Sequence, residues 1–245
     1  MLRARNQNKQ WQNSVIGITG ASGELGKALS KKFRSQGGYV IGLTHKKTRE
    51  VQNSTPLDSP QEWVSWTCGK ESLLENTLSK LDLLILNHGI NPHGAQNYES
   101  LDKAIEVNAL STWRLIKEYE KIAFLNKHNR RKRQIWVNTS EAEVQPAFSP
   151  GYEISKRLIG ELVSLRRNNL NQEDKKIIEI RKLILGPFKS ELNPIGIMSS
   201  DFVAEQIIFQ SKLNLSLIIV SPNPITYLSM PLAELTRSIY SRITK

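Results

Sequence analysis

The chain has 245 residues, 39% of them hydrophobic, with 34 Lys+Arg against 23 Asp+Glu for a net charge of +11. That length and apolar content suit one large α/β domain with a full core and exclude a disordered chain. A single cysteine, Cys68, excludes an internal disulfide and a cysteine-based zinc site, so a reducing compartment and no metal are expected.

Residues 1–13, MLRARNQNKQWQN, are basic and polar and read as an extension with no apolar signal-peptide core. No run of 18 apolar residues occurs, so a cytoplasmic protein, soluble or peripheral to a membrane, is expected. The apolar run Val15–Thr19 then reads as a buried strand, and Leu25, Ala28 and Leu29 recur at helical spacing over 23–36. Between them, Gly20 permits a tight turn, Gly23 the close approach of a ligand, and Gly26 the packing of helix on strand. The helix start, with Thr19, Ser22, Glu24 and Leu25 around it, offers free N–H groups to an anion such as a dinucleotide pyrophosphate. An ordinary glycine-rich βα loop is the alternative reading.

A second strand, 38–43, is followed by Thr44, His45, Lys46 and Lys47. An acid in this place would bind the adenosine ribose and select NAD; its absence, with two lysines present, favours NADP. Further strands are expected at 62–67 and 82–87, with a helix at 71–80 between them. Asn87 and Gly89 follow the fourth strand, where a small residue lets a cofactor lie against the chain. A helical run over 98–126 contains Asn108, whose poor helix propensity asks for a reason. The basic run NKHNRRKRQ, 126–134, has no interleaved aromatic residues and matches no nucleic-acid module, so it reads as a solvated loop and no nucleic-acid partner is expected.

The strand at 135–139 ends on Thr139 and Ser140. Ser149 and Pro150 then supply an N-cap and first turn for a helix over 151–168. In that helix Tyr152 and Lys156 are at i and i+4, on one face, where an ammonium lowers a phenol pKa that is otherwise ~10 and makes Tyr152 a general acid/base. The strand 178–185 leads to Gly186 and Pro187, and the chain passes almost directly into a helix at 200–213 and a last strand at 216–220. Seven strands alternating with helices, with no repeat and no linker, specify one doubly wound parallel domain of the Rossmann type. In the helical tail, 229–245, Leu232, Leu235, Ile239 and Ile243 form a stripe beside Arg237, Arg242 and Lys245. It reads as a packing element on the sheet edge or on a second subunit of a homo-oligomer, with an anionic membrane as the other partner.

The glycine turn, Asn87-x-Gly89, Asn108, Ser140 and Tyr152-x-x-x-Lys156 stand in the order of the short-chain dehydrogenases/reductases, which the chain resembles over 14–220. The spacing Thr19-Gly20-x-x-Gly23-x-x-Gly26 is that of the extended and atypical branches. Two stretches, VNTSEAEVQPAFSPGYEISKR and RKLILGPFKSELNPIGIMSSDFVAEQI, resemble the reductase half of bifunctional sterol desaturase/short-chain dehydrogenase proteins. The resemblance implies carbonyl–alcohol interconversion with a nicotinamide cofactor. It assigns proton exchange to Tyr152, ribose binding and phenol tuning to Lys156, a bond to the substrate oxygen to Ser140 or Thr139, and a relay water to Asn108. The short interval after Pro187 implies an open site and an apolar or carrier-bound substrate. A non-catalytic redox sensor and a nucleotide-sugar epimerase of the extended branch are the alternatives.

Overall fold

The computed structural model describes residues 10–46, 58–93, 97–126 and 131–243. In chain order these form β1 (Val15–Thr19), α1 (Glu24–Ser35), β2 (Tyr39–Thr44), β3 (Glu62–Ser65), α2 (Glu75–Lys80), β4 (Leu83–Leu86), α3 (Tyr98–Ile105) and α4 (Thr112–Leu125). There follow β5 (Arg133–Ser140), α5 (Pro150–Asn169), α6 (Gln172–Ile177), β6 (Ile178–Leu185), α7 (Ser200–Lys212), β7 (Leu217–Val220) and α8 (Thr226–Ile243). The strands make one sheet in the order β3-β2-β1-β4-β5-β6-β7, and every neighbouring pair is parallel. This is the Rossmann-type doubly wound domain expected from the alternation of patterns. β1 lies between β2 and β4, so the chain leaves the centre of the sheet in both directions and opens a crevice at the carboxyl ends of β1 and β4.

Helices cover both faces, which is why the strands are almost continuously apolar. On one face Ile18, Leu29, Phe33, Trp136, Val203 and Ile207 share a core; on the other Leu84, Ile116, Tyr119, Val137, Ile159 and Val163 do. Trp11 extends the first of these from the polar N-terminal stretch, edge-on to Phe33 at 5.0 Å and to Trp136 at 5.7 Å. The long helical run expected at 98–126 is broken by a π-turn, Glu106–Ser111, which contains Asn108. The basic run departs from its reading as a solvated loop. Its residues 127–130 lie outside the described residues, but Arg133 is buried in β5 and donates to the carbonyls of Leu78 and Ser79.

The tail α8 presents Leu232, Leu235, Ile239 and Ile243 to solvent, so this stripe does not pack on the sheet edge; the helix docks there through Met230, buried with Ile184 and Ile219, and through charge. Lys182 Nζ, fully buried in β6, donates to Glu143 Oε2 at 2.7 Å and to Glu234 Oε1 at 2.9 Å. Arg237 reaches Glu143 at 2.9 Å and Glu234 at 2.8 Å, and Arg167 reaches Glu234 at 3.2 Å. Burial pushes the Glu234 carboxyl up, yet Lys182 and the hydrogen bonds outweigh it and hold the group down at about 2. Gly160 makes room for this cluster, since a Cβ there would stand 2.1 Å from Glu143 Oε2. Among the described residues no helix is long and apolar enough to cross a membrane.

Removing the central cation should leave two buried carboxylates facing each other with only arginines at the edge. Lys182→Ala is therefore expected to lower unfolding free energy by about 3–5 kcal/mol, as read from urea denaturation. A loss under about 1 kcal/mol, the size of a surface pair, would show that the cluster is solvated in solution.

Candidate active site

The crevice at the β1/β4 switch is the mouth of a cleft of about 970 Å³. Its floor is set by the turn after β1. Gly20 sits at φ +63°, with a Cβ excluded by the His88 backbone 3.0 Å away, so only glycine fits without strain. A Cβ on Gly26 would meet Gly20 O at 2.4 Å and Ala21 Cα at 2.6 Å. These are backbone atoms that cannot step aside. Gly23 is the N-cap of α1 and makes no side-chain cap bond, so the first N–H groups of the helix are left for another acceptor.

Thr19, fully buried, joins this turn to the loop after β4. Its Oγ1 accepts from Asn87 N at 2.8 Å and His88 N at 3.2 Å, and lies 2.8 Å from His88 Nδ1. Burial, then repulsion from His45 and Lys156, drives His88 down to about 3, so the ring is neutral. At the end of β2, His45 Nδ1 bonds the Trp66 carbonyl at 3.0 Å and its ring stacks on Trp66 at 4.4 Å. Lys46 beside it is exposed, and Lys47 lies outside the described residues.

The reacting end is built by β5 and α5. Tyr152 and Lys156 both line the cleft, with Lys156 Nζ 5.7 Å from the centre of the Tyr152 ring. The ammonium is aimed at the Asn138 carbonyl, 3.0 Å away. This changes the electrostatic reading of the pair. Burial pushes the Tyr152 phenol up, Glu141 adds to the rise, and a hydrogen bond with Ser140 opposes it; Lys156 is not among the causes. Burial also brings Lys156 down to about 8, against the pull of Glu143. Thr139 and Ser140 both line the cleft; Thr139 Oγ1 is turned to the Leu183 carbonyl at 3.3 Å on the neighbouring strand, whereas Ser140 Oγ accepts from Ala142 N at 3.2 Å and acts to lower the Tyr152 phenol.

Most of the sequence-predicted residues meet in this one cleft: Gly20, Ser22, Gly23, Glu24 and Leu25 from the first turn, and Thr44, His45 and Lys46 from β2. Asn87, Gly89, Ser140, Tyr152, Lys156, Gly186 and Pro187 complete it. Thr19, Gly26 and Asn108 do not line it; they hold its walls. Asn108 gives its two amide donors to Ile90 O at 3.0 Å and Ser155 Oγ at 2.8 Å, and its Oδ1 accepts from Ile90 N at 2.8 Å. Its side chain thus ties the loop after β4 to α5. The π-turn is what aims it there.

Sequence reasoning missed His88, Asn138 and Ser149, which also line the cleft. Asn138 Nδ2 donates to Asn87 Oδ1 at 2.8 Å, and its carbonyl receives Lys156. Ser149 is the N-cap of α5 by position only: its Oγ is buried with no hydrogen-bond partner. The glycine cradle, the uncapped N-terminus of α1 and the buried ammonium together fit a nicotinamide dinucleotide.

The NAD dependent epimerase/dehydratase family model matches residues 16–155. A monoglucosyldiacylglycerol epimerase from Synechocystis sp. is 42% identical over 227 residues, which is 93% of this chain and 54% of that protein. The chain therefore spans about half the length of this curated relative. Among solved structures, a short-chain dehydrogenase from Burkholderia cenocepacia in complex with NADP is similar at a TM-score of 0.73 and 17% identity, covering 96% of this chain and 98% of that one. A putative 2-deoxy-d-gluconate 3-dehydrogenase from Agrobacterium tumefaciens with bound NADP is similar at 0.73 and 15% identity, covering 89% and 98%. The fold is thus shared with short-chain dehydrogenases, whereas the sterol-desaturase pairing gains no support from these relatives. With its glycine turn, β1/β4 crevice and first-half match in agreement, the chain belongs to the NAD dependent epimerase/dehydratase family.

Proposed function

We propose that this chain is an NADP(H)-dependent enzyme that oxidises and re-reduces one carbinol carbon of a sugar, as the redox part of a glycolipid headgroup epimerase. The observation that carries the reading is the convergence of Tyr152, Ser140 and Lys156 in the same cleft as the glycine cradle. The 42% identity to a monoglucosyldiacylglycerol epimerase supports epimerisation and a hexose headgroup. A nicotinamide dinucleotide bound there would accept a hydride from the carbinol carbon and give it back.

The residues around it divide the remaining work. The turn Gly20–Leu25 would receive the pyrophosphate and Lys156 the nicotinamide ribose, while His45 and Lys46 would face the adenosine end, where among the described residues ending β2 no acid stands to repel a 2′-phosphate. As hydride leaves the carbinol carbon, the hydroxyl proton passes to Tyr152 Oη and a keto sugar remains. Ser140 donates to the oxygen on which charge develops. Return of hydride to the opposite face, with the proton given back by Tyr152, yields the epimer. Burial favours the protonated phenol, the form that returns this proton to a carbonyl, so the oxidising half-reaction starts from the minor phenolate form. Direct reduction of a carbonyl substrate uses the same half-reaction and is the second reading; cofactor stoichiometry separates the two.

With glucosyldiacylglycerol in detergent micelles, the full chain should form an epimeric sugar with no net change in NADPH, read by chromatography and absorbance. One NADPH consumed per product would make it a reductase. Tyr152→Phe should lower turnover by about 10²–10⁴-fold while leaving NADPH binding intact; retention of most of the rate would assign the proton to another group. Fluorescence titration should show NADPH bound more tightly than NADH, with the difference reduced in Lys46→Ala. Equal affinities would remove Lys46 from the adenosine site. Because Lys156 loses its charge as pH rises through about 8, affinity for the anionic dinucleotide should fall across that value. Lys156→Arg, which stays charged, should flatten the profile.

A further inference from the structure

We infer that the mouth of the cleft docks on a lipid bilayer through an apolar rim of Phe148, Ile195, Ile197, Ile225 and Leu228, so that a headgroup enters the site while its acyl chains stay in the bilayer. For its substrate the inference rests on the glycolipid reading above. Phe148 is 102% exposed, Ile195 83%, Ile197 77%, Leu228 77% and Ile225 62%. Single exposed apolar residues are ordinary, but two of these stand in the lining of one opening and the other three lie on segments hydrogen-bonded beside it. Phe148 and Ile195 themselves line the cleft. Ile197 is tied to it by its amide, which donates to the carbonyl of cleft-lining Pro187 at 3.0 Å. Ile225 precedes and Leu228 opens α8, whose start is pinned beside the Phe148 loop. Gln145 Nε2 donates to Thr226 Oγ1 at 2.9 Å, and Asn223 Nδ2 to Gln145 Oε1 at 2.7 Å.

Volume decides where the rest of a diacylglycerol substrate goes. One drug-sized ligand occupies a pocket of about 300–1,000 Å³. A dinucleotide and a hexose therefore account for a cleft of about 970 Å³, and two acyl chains must remain outside, against the rim. A second copy seated on the rim would shut the opening through which the headgroup passes. A bilayer leaves the headgroup where the cleft needs it, and the net charge of +11 draws the chain to an anionic surface.

The test is co-sedimentation of the full chain with vesicles of equimolar phosphatidylglycerol and phosphatidylcholine, alongside sedimentation velocity without lipid. Wild type should bind, and Phe148→Ser combined with Ile195→Ser should bind about tenfold or more weakly. Ile197→Ser combined with Leu228→Ser, outside the cleft lining, should also bind weakly while turning over a water-soluble glucoside at the wild-type rate. Failure of wild type to bind, wild-type binding by both pairs, or a rim variant that falls to a smaller species each overturns the docking surface; the last would make it a contact between copies. Rim-dependent vesicle binding without epimerisation of any glucoside would leave the docking surface standing and remove the glycolipid reading. Epimerisation of the soluble glucoside with rim-independent binding would do the reverse.

Discussion

The crevice depends on one hydroxyl. Thr19 Oγ1 gathers the amides of Asn87 and His88 and the His88 ring, and so fixes the end of β1 to the loop that leaves β4. Parallel neighbours whose chains depart in opposite directions share no backbone ladder past their last residues, so the gap between them takes its shape from side chains. A buried acceptor with several donors is costly to disturb, because each donor would be left unsatisfied in the interior. The neutral His88 completes the arrangement by packing edge-on to Trp66 at 5.1 Å, under His45. The cradle for phosphates and the wall for the nicotinamide are thereby held by the same atom.

A second constraint acts from the other side of the cleft. Glu143 lies three residues beyond Ser140, in the short turn Glu141–Glu143 that follows β5, and is fully enclosed by Lys182 and Arg237. Ion pairs of this depth add little net stability compared with an apolar core of the same volume, because desolvation offsets most of the attraction. What they fix is geometry. The cluster spans β6, α5, α8 and the turn after Ser140, so the serine hydroxyl, the helix carrying Tyr152 and the tail are held in one register. The turn is also bound to α8 through Glu141, which accepts from Ser221 at 2.5 Å and Thr226 at 3.0 Å.

The strands were readable wherever both faces are apolar: Val15–Thr19 and Ile178–Leu185 have the bounds expected from the pattern alone. β5 begins at Arg133, earlier than expected, because a buried arginine bonded to two carbonyls has the same letter as a solvated one. Lys182 is hidden for the same reason, and its partner Glu143 is 39 residues away, beyond the reach of any local period. In the site, Ser140, Tyr152 and Lys156 were legible from spacing on one strand end and one helix face. Their electrostatics were not, since the acceptor for Lys156 is a backbone carbonyl and the desolvation that raises Tyr152 depends on the whole fold. The choice between Thr139 and Ser140 turned on the alternation of side chains along β5, whose phase only the pairing with β6 fixes.

A reductase and an epimerase can share every one of these groups, because each moves one proton and one hydride at one carbon. The distinction lies in whether the ketone leaves after that step or turns over and is attacked on its other face. Turning requires a cleft wide enough for a hexose to rotate and a lip that holds it in. Here the lip is the short segment between β6 and α7, closed on itself by the pairing of Phe188 with Met198 and of Ser190 with Asn193. Gly196 allows that closure, since a Cβ there would lie 2.0 Å from the Phe188 carbonyl carbon. A lip this compact cannot wrap a lipid. In the proposed epimerisation it would retain a headgroup whose acyl chains are held elsewhere, the condition under which an oxidised sugar stays long enough to be returned as its epimer.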